Sequence, residues 1–495
     1  MGLRPRALVV GGLAAAGGIL AFRRWQRRRT SIPEASPRLP VNIVTPRARR
    51  VEIARIGGRA GASYALHKAR RRFASAERQA ELDTRFELRT AEQVAEALGN
   101  MKGALMKLGQ MASYLDTGLA QPVRDALAGL QQNAPPMSAA LAAEVVEREL
   151  GQAPDRLFLE WDTKPIASAS IGQVHRAITR GERAVAVKVQ YPGVDQAIRA
   201  DLDNVGMLFG AMGVAFSGLD SKALVDEIRA RVAEEVDYEL EARNQQLFAD
   251  YYRTHPYIHV PNVVGELSGR RVLTTELAEG ARFDEMAGWG QDERNLAAET
   301  IYRFVFRSLY RLQAFNGDPH PGNYLFRPGG QVTFLDFGLV KHFTDPEIDQ
   351  FARMIQAMVF DRDIPAFRSI IEEIGLLRRD APFDDDEVHD YFGHFYDFVS
   401  EDAEVTLTSQ WSSETVERFF NVSGPHGRIA RAANLPPSFV IIQRINLGLM
   451  AILGDLRATA NFRRIAEELW PWVDGPPSTE IGRAETVWLN GAGPG

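Results

Sequence analysis

Three oxygen-bearing side chains set the chemistry: Asp318, Asn323 five residues later, and Asp336 thirteen residues beyond that. They lie in Asn316-Gly317-Asp318-Pro319-His320-Pro321-Gly322-Asn323 and in Asp336-Phe337-Gly338. Carboxylate and carboxamide oxygens are hard donors of the kind that hold Mg²⁺ beside phosphate oxygens, and a second carboxylate can orient an attacking hydroxyl and take its proton. The implied chemistry is phosphoryl transfer from a magnesium-bound nucleotide, with Asp318 as the catalytic group and Asn323 and Asp336 as the metal ligands. That role requires Asn323 and Asp336 to meet. The intervening chain provides for it: Tyr324-Leu325-Phe326 and Gln331-Val332-Thr333-Phe334-Leu335 are short apolar runs on either side of Pro328-Gly329-Gly330, the pattern of a hairpin.

An Asp with an Asn five residues on, followed by D-F-G, is the spacing of a kinase catalytic loop and its metal-binding tripeptide. Kinases usually carry H-R-D where this chain has Asn316-Gly317-Asp318, and without the Arg, control through a phosphorylated activation loop is not expected. The remaining parts of a nucleotide site are looked for upstream. Residues 184–190 (AVAVKVQ) alternate as a strand with one inward Lys188, matching the V-A-I-K strand whose Lys contacts phosphates. A helix is expected over 226–248, with Ile228, Val232, Val236, Leu240 and Leu247 on its buried face. Glu241 on its edge is the expected partner of Lys188, leaving Glu235 and Asp237 for another contact. Ala167, Ser168, Ala169, Ser170, Ile171 and Gly172 stand where a glycine-rich loop would cover the phosphates. With a single glycine, that grip is expected to be altered and not lost. Strands are expected at 260–264 and 271–275, and Glu276 opens the hinge 276–280 where adenine would sit. Beyond it the chain reads as mostly helical, with a helix over 296–314 leading into the catalytic loop and an acidic helix start at 383–387. The fold class is α+β: a protein-kinase-like two-lobed fold with a helical extension ahead of it and a mostly helical C-lobe.

The chain of 495 residues has no cysteine, which excludes disulfides, thiolate metal sites and cysteine nucleophiles. Its net charge of −6 conceals an asymmetry: residues 1–72 hold 17 Arg and Lys against Glu34 and Glu52 alone, so the remainder is strongly acidic. A basic arm on an acidic body is drawn to an anionic surface, and the apolar run beside it selects membrane over nucleic acid. That run, residues 7–22 (ALVVGGLAAAGGILAF), is uncharged and flanked by arginines. As a helix it would extend about 24 Å, short of the roughly 30 Å hydrocarbon core unless Trp25 and snorkelling arginines lengthen it. The heavier positive cluster after it places the body in the cytoplasm. A cleaved signal peptide and a peripheral anchor are the competing readings. The expected organisation is an anchor at 1–30, a basic linker at 31–90, a helical extension at 91–150, an N-lobe at 151–280, a C-lobe at 281–475 and a flexible tail at 476–495.

In the helical extension, Lys107 and Gln110 are three apart and share a face. Taken alone they read as solvated surface. Together, K-x-G-Q at 107–110, A-S-A-S-I-G-Q-V-H at 167–175, E-V-D-Y at 235–238, D-P-H-P-G-N at 318–323 and D-F-G at 336–338 resemble, in order, the UbiB/AarF atypical kinases. The resemblance covers roughly residues 91–345. It implies that the K-x-G-Q helix packs over the site where a protein substrate would bind, held by Glu235 and Asp237 against Lys107 and Gln110 in a regulatory contact. It further implies ATP/ADP and Mg²⁺ as cofactors, and an ATPase or small-molecule kinase supporting isoprenoid quinone synthesis at membranes. The expected partners are anionic membrane lipids and a quinone-pathway lipid or enzyme complex. A nucleotide-sensing, non-catalytic lipid-binding scaffold and a protein kinase are the alternatives. The apolar segment is amino-terminal here, whereas relatives place theirs at the carboxyl end, so topology does not transfer.

Overall fold

Small and β-branched residues in alternation build the first layer, an antiparallel sheet in the order β1-β3-β4-β6 with β2 added to β3. Its strands are β1 (Phe158–Trp161), β2 (Ala167–Ala169), β3 (Gly172–Thr179), β4 (Ala184–Gln190) and β6 (Val272–Glu276). The computed structural model describes residues 137–169, 171–192, 194, 236–317, 319–420, 424–434 and 437–491. The expected anchor and linker, Lys107 and Gln110, Ser170, Glu235 and Asp318 lie outside the described residues. Ahead of the sheet runs α1 (Ala139–Leu150), capped by the Ser138 hydroxyl accepting from the Leu141 N–H and ended by Gly151 at φ +76°. Its Val145 and Val146 pack on Val185, Val187 and Val189 of β4. Because strand side chains alternate between faces, burying those valines under α1 turns Ala186 and Lys188 to the opposite face, toward the rest of the molecule.

The helix carrying Glu241 is α2 (Tyr238–Tyr251); residues 226–235 of the expected helix, with Ile228 and Val232, lie outside the described residues. Val236 and Asp237 are not helical; the Asp237 carboxylate accepts from the Glu239 and Leu240 N–H groups at 3.0 and 3.1 Å, an N-cap. The strand expected at 260–264 is instead β5 (Ile258–His259), parallel to β9 (Gln331–Phe334), with only Val263 bridged to Thr275 beyond it. Pro261 has no N–H to give a ladder, which ends the strand there.

The second lobe is organised by α3 (Gln291–Arg307), which runs on through one π-helical turn, Ser308–Leu312, and stops at Gln313 in the left-handed region. It begins earlier than expected and yields residue 314 to β7 (Ala314–Asn316), which pairs with β10 (Val340–His342). The expected hairpin is present as β8 (Tyr324–Arg327) and β9 (Gln331–Phe334), turned at Gly329 and Gly330 with φ +80° and +79°. Helices α4 (Asp345–Ile355), α5 (Ile364–Glu373), α6 (Asp385–Phe392), α7 (Ser409–Phe420), α8 (Pro437–Asp455), α9 (Phe462–Leu469) and α10 (Glu480–Gly491) complete it around an aromatic core. As the acidic run predicts, Asp384 and Glu387 form a capping box at the start of α6.

Of the tail expected to be flexible, residues 480–491 form a packed helix, and 492–495 lie outside the described residues. In α10, Trp488 is buried against Tyr252 and His255 and donates from its indole N–H to the Arg253 carbonyl at 3.1 Å. Glu485 of the same helix accepts from Arg303 and Arg307 of α3, in side chains 0 % and 4 % exposed. Arg303 also reaches Glu299 and Glu468, each at 2.7 Å. Glycine and proline before the helix suggested disorder, but a buried carboxylate facing two guanidiniums outweighs that composition. No helix among the described residues is long and apolar enough to cross a membrane.

Candidate phosphoryl-transfer site

Lys188 projects from the cleft face of β4 and meets Glu241, one turn into α2, with its Nζ 2.8 and 3.0 Å from the two carboxylate oxygens. Asp336 Oδ2 lies 3.6 Å from the same nitrogen. Beneath the ammonium is the Tyr238 ring, 5.0 Å from Nζ to centroid. Burial by itself would lower the Lys188 pKa, but the Asp336 and Glu241 carboxylates together raise it above the ordinary lysine value. The lysine is therefore a fixed cation. Glu241 is buried while Asp336 is 30 % exposed, so the open side of the cluster is the Asp336 side. Tyr238 is held neutral: burial pushes its phenol above the usual range even though Lys188 pulls it down.

Asp336 is locked from several directions. Its Oδ1 accepts from the Gly338 N–H at 3.0 Å, and its carbonyl accepts from the Asn316 side-chain amide at 2.6 Å. Phe337 is fully buried, 4.9 Å centroid to centroid from Phe248 of α2. Asn244, three residues after Glu241, donates to the Phe337 carbonyl at 3.2 Å. One helix thus sets both the lysine's partner and the D-F-G backbone. On the hairpin's other arm the Asn323 carbonyl accepts from the Leu335 N–H at 3.0 Å, pinning the turn that carries Asn323 to the approach of Asp336. Between Gly338 and α4 the chain spends three residues in β10 paired to β7, and Gly317 N–H donates to Leu339 O at 2.7 Å. That short paired connection leaves no room for a long activation loop, as the missing Arg suggests.

The remaining expected residues fall differently. Ala167, Ser168 and Ala169 form β2 and fold back on β3. Ile171 is buried and its carbonyl accepts from the Tyr191 N–H, so its side chain faces the core and not a ligand. Gly172 serves packing and not positive φ: a Cβ would collide with the Val189 carbonyl and touch the Tyr238 hydroxyl. Glu276 closes β6, and its carboxylate accepts from both the backbone N–H and side-chain amide of Asn262, each at 3.0 Å. Hinge recognition would therefore fall to backbone groups. The Asp237 carboxylate caps α2 rather than lying along its edge. The motif's Gln173 and His175 are structural: Gln173 clasps the Met137 backbone N–H, and its amide donates to His175, which donates in turn to the Asp162 carbonyl at 2.8 Å. Missed from sequence were Tyr238, Asn244 and Asn316. Asn244, three residues after Glu241 and so on the same helix face, was findable.

A five-stranded antiparallel sheet and a helical lobe meeting at a Lys-Glu-Asp cluster make this a protein-kinase-like fold. A model of the ABC1 atypical kinase-like domain matches residues 129–369. Similar proteins include the mitochondrial atypical kinase COQ8B of Rattus norvegicus, 34 % identical over 55 % of this chain and 52 % of that one. The COQ8B of Danio rerio is 31 % identical over 54 % of this chain and 43 % of that one. A solved structure described as the Rv3197–erythromycin complex from Mycobacterium tuberculosis aligns with TM-score 0.60 and 30 % identity, covering 80 % of this chain and 100 % of that one. The chain belongs to the UbiB/ABC1 family of atypical kinases. It spans about half the length of the curated relatives named here.

Proposed function

We propose that the chain binds Mg–ATP in the cleft between Lys188 and Asp336 and acts as a membrane-associated ATPase or small-molecule kinase supporting isoprenoid quinone biosynthesis. The observation that carries this reading is the Lys188–Glu241–Asp336 cluster, closed at 2.8 and 3.6 Å with Phe337 tucked away. The donor set suits magnesium: Asp336 offers a half-open carboxylate and Asn323 a carboxamide, both hard oxygens of the type that ion takes. When bound, the ion would offset charge on the departing phosphoryl group. Lys188, kept charged by Glu241, would orient the nucleotide phosphates. The Gly338 N–H holds the Asp336 carboxylate while Asn316 and Asn244 fix the backbone beneath it, so little reorganisation would accompany transfer. Asp318 would orient water or a small lipid-related acceptor. The basic, apolar amino-terminal arm supports a membrane setting.

The test is ATP turnover with and without anionic vesicles. Asp336→Asn should abolish turnover while leaving the fold, and quinone-lipid levels in a null strain should recover with wild type only. Undiminished turnover by Asp336→Asn would remove the proposed role of this site.

A further inference from the structure

The C-lobe contains a cavity of about 350 Å³ between α3, α4, α6 and α8. Its lining is dominated by aromatic side chains, and among the described residues it includes no Asp, Glu, Lys, Arg or His. One quarter of the chain is charged, so a wall without charge is selective. An ion entering it would lose hydration with no opposite charge to meet.

The polar groups in the wall are neutral. Tyr302, Tyr310 and Tyr396 all line it, and burial raises each phenol's pKa, so they remain hydrogen-bond donors at any ordinary pH. The hydroxyls of Tyr302 and Tyr396 make no hydrogen bond among the described residues, nor do the side-chain amides of Gln443 and Asn446 on α8. Volumes of about 300–1,000 Å³ with a few convergent polar groups in an apolar wall are those of small-molecule sites.

The cavity is not the nucleotide cleft. Phe315 of β7 lines it, while its neighbour Asn316 bonds the Asp336 carbonyl. Successive strand residues face opposite ways, so β7 is a partition between the two.

We propose that this cavity is a second ligand site, taking an uncharged, largely apolar ring compound that carries a carbonyl-type oxygen, with Tyr396 as a donor to that oxygen. The proposal does not rest on nucleotide turnover. It is tested by calorimetry and thermal shift with three probes of similar shape: 2-acetylnaphthalene, its carboxylate counterpart 2-naphthoate, and 2-isopropylnaphthalene. The ketone should bind and raise Tm, with the carboxylate at least tenfold weaker. Tyr396→Phe should keep the Tm of the unliganded protein but weaken the ketone about fivefold, the loss of one neutral hydrogen bond, and leave the hydrocarbon unchanged. Ile442→Trp, which fills the cavity, should abolish binding of both. Binding should persist in Asp336→Asn and in the presence of Mg–ADP. Failure of the ketone to bind, equal binding of the carboxylate, displacement by Mg–ADP, or ketone affinity unmoved by both Tyr396→Phe and Ile442→Trp would each overturn the proposal.

Discussion

Glu485→Gln removes one charge from the most deeply buried ionic cluster described. The carboxylate stands 2.6 Å from Arg307 Nε and 2.8 Å from both Arg307 and Arg303 terminal nitrogens. Arg303 keeps Glu299 and Glu468 in the variant, so the cost falls mainly on Arg307, which bonds both oxygens of Glu485. Leaving a buried guanidinium without its counter-charge costs about 3–5 kcal/mol. With about 2.1 cal/mol/K of unfolding entropy per residue, a folded unit of more than 300 residues shifts by roughly 1–1.6 °C per kcal/mol, so that is a Tm loss of roughly 3–8 °C, read by calorimetry. The control is Glu373→Gln, which breaks an ion pair with Arg353 at a comparable 2.7 Å but with both partners open to water. It should leave Tm nearly unchanged. The acid limb is a second readout. Arg307 and Arg303, together with the His255 hydrogen bond, hold the Glu485 carboxyl below its ordinary value despite burial. Its stabilisation is thus fully present above about pH 4.5 and is lost as pH falls through the lower folded value. His255, lowered by burial, acts in the same direction below about pH 6.5. The variant should show a shallower loss of stability below pH 4.5. A Tm within 2 °C of wild type, or an acid limb of unchanged slope, would refute the argument that burial and not distance sets the value of this cluster.

Glu241→Gln should weaken Mg–ATP binding and cut turnover at least tenfold, because Lys188 loses its nearest counter-charge; titration calorimetry and kinetics check this. Phe337→Ala should cost about 3–5 kcal/mol, as expected for emptying a fully buried aromatic position, measured by urea unfolding. Gly448→Ala on α8 should lower turnover without lowering Tm. A Cβ there would run into Pro319 beside the catalytic loop, while alanine favours the helix by roughly 1 kcal/mol.

The chemistry was legible where one residue type at one spacing had one use. Lys188 on an alternating strand, Glu241 on a later helix and Asp336 after a hairpin come together as their spacing implies. The hairpin itself was readable from Pro328-Gly329-Gly330, which supplies the two positive-φ positions it needs. Where a residue had two uses, sequence did not decide. Asp237 could lie on a helix or cap one, and the choice rests on where the chain turns out of the Val236 contact. Gly172 could face a phosphate or a neighbouring strand, and only the Val189 carbonyl resolves it. The packed α10 was illegible because its reason, Arg303 and Arg307, lies more than 170 residues away in sequence.

Helix α2 holds Glu241 near its start, and its far end rests against α10 through Trp488 and His255–Glu485, contacts 235 and 230 residues apart in the chain. Ribosomes add about 5–20 residues per second, so roughly 10–50 seconds separate the emergence of α2 from that of the helix that braces it. During that interval the glutamate needed by Lys188 is already made, but the far end of its helix lacks the Trp488 and Glu485 contacts. Any factor that shields Tyr252 and His255 while the chain is still growing would shape the yield of active protein without touching the cleft.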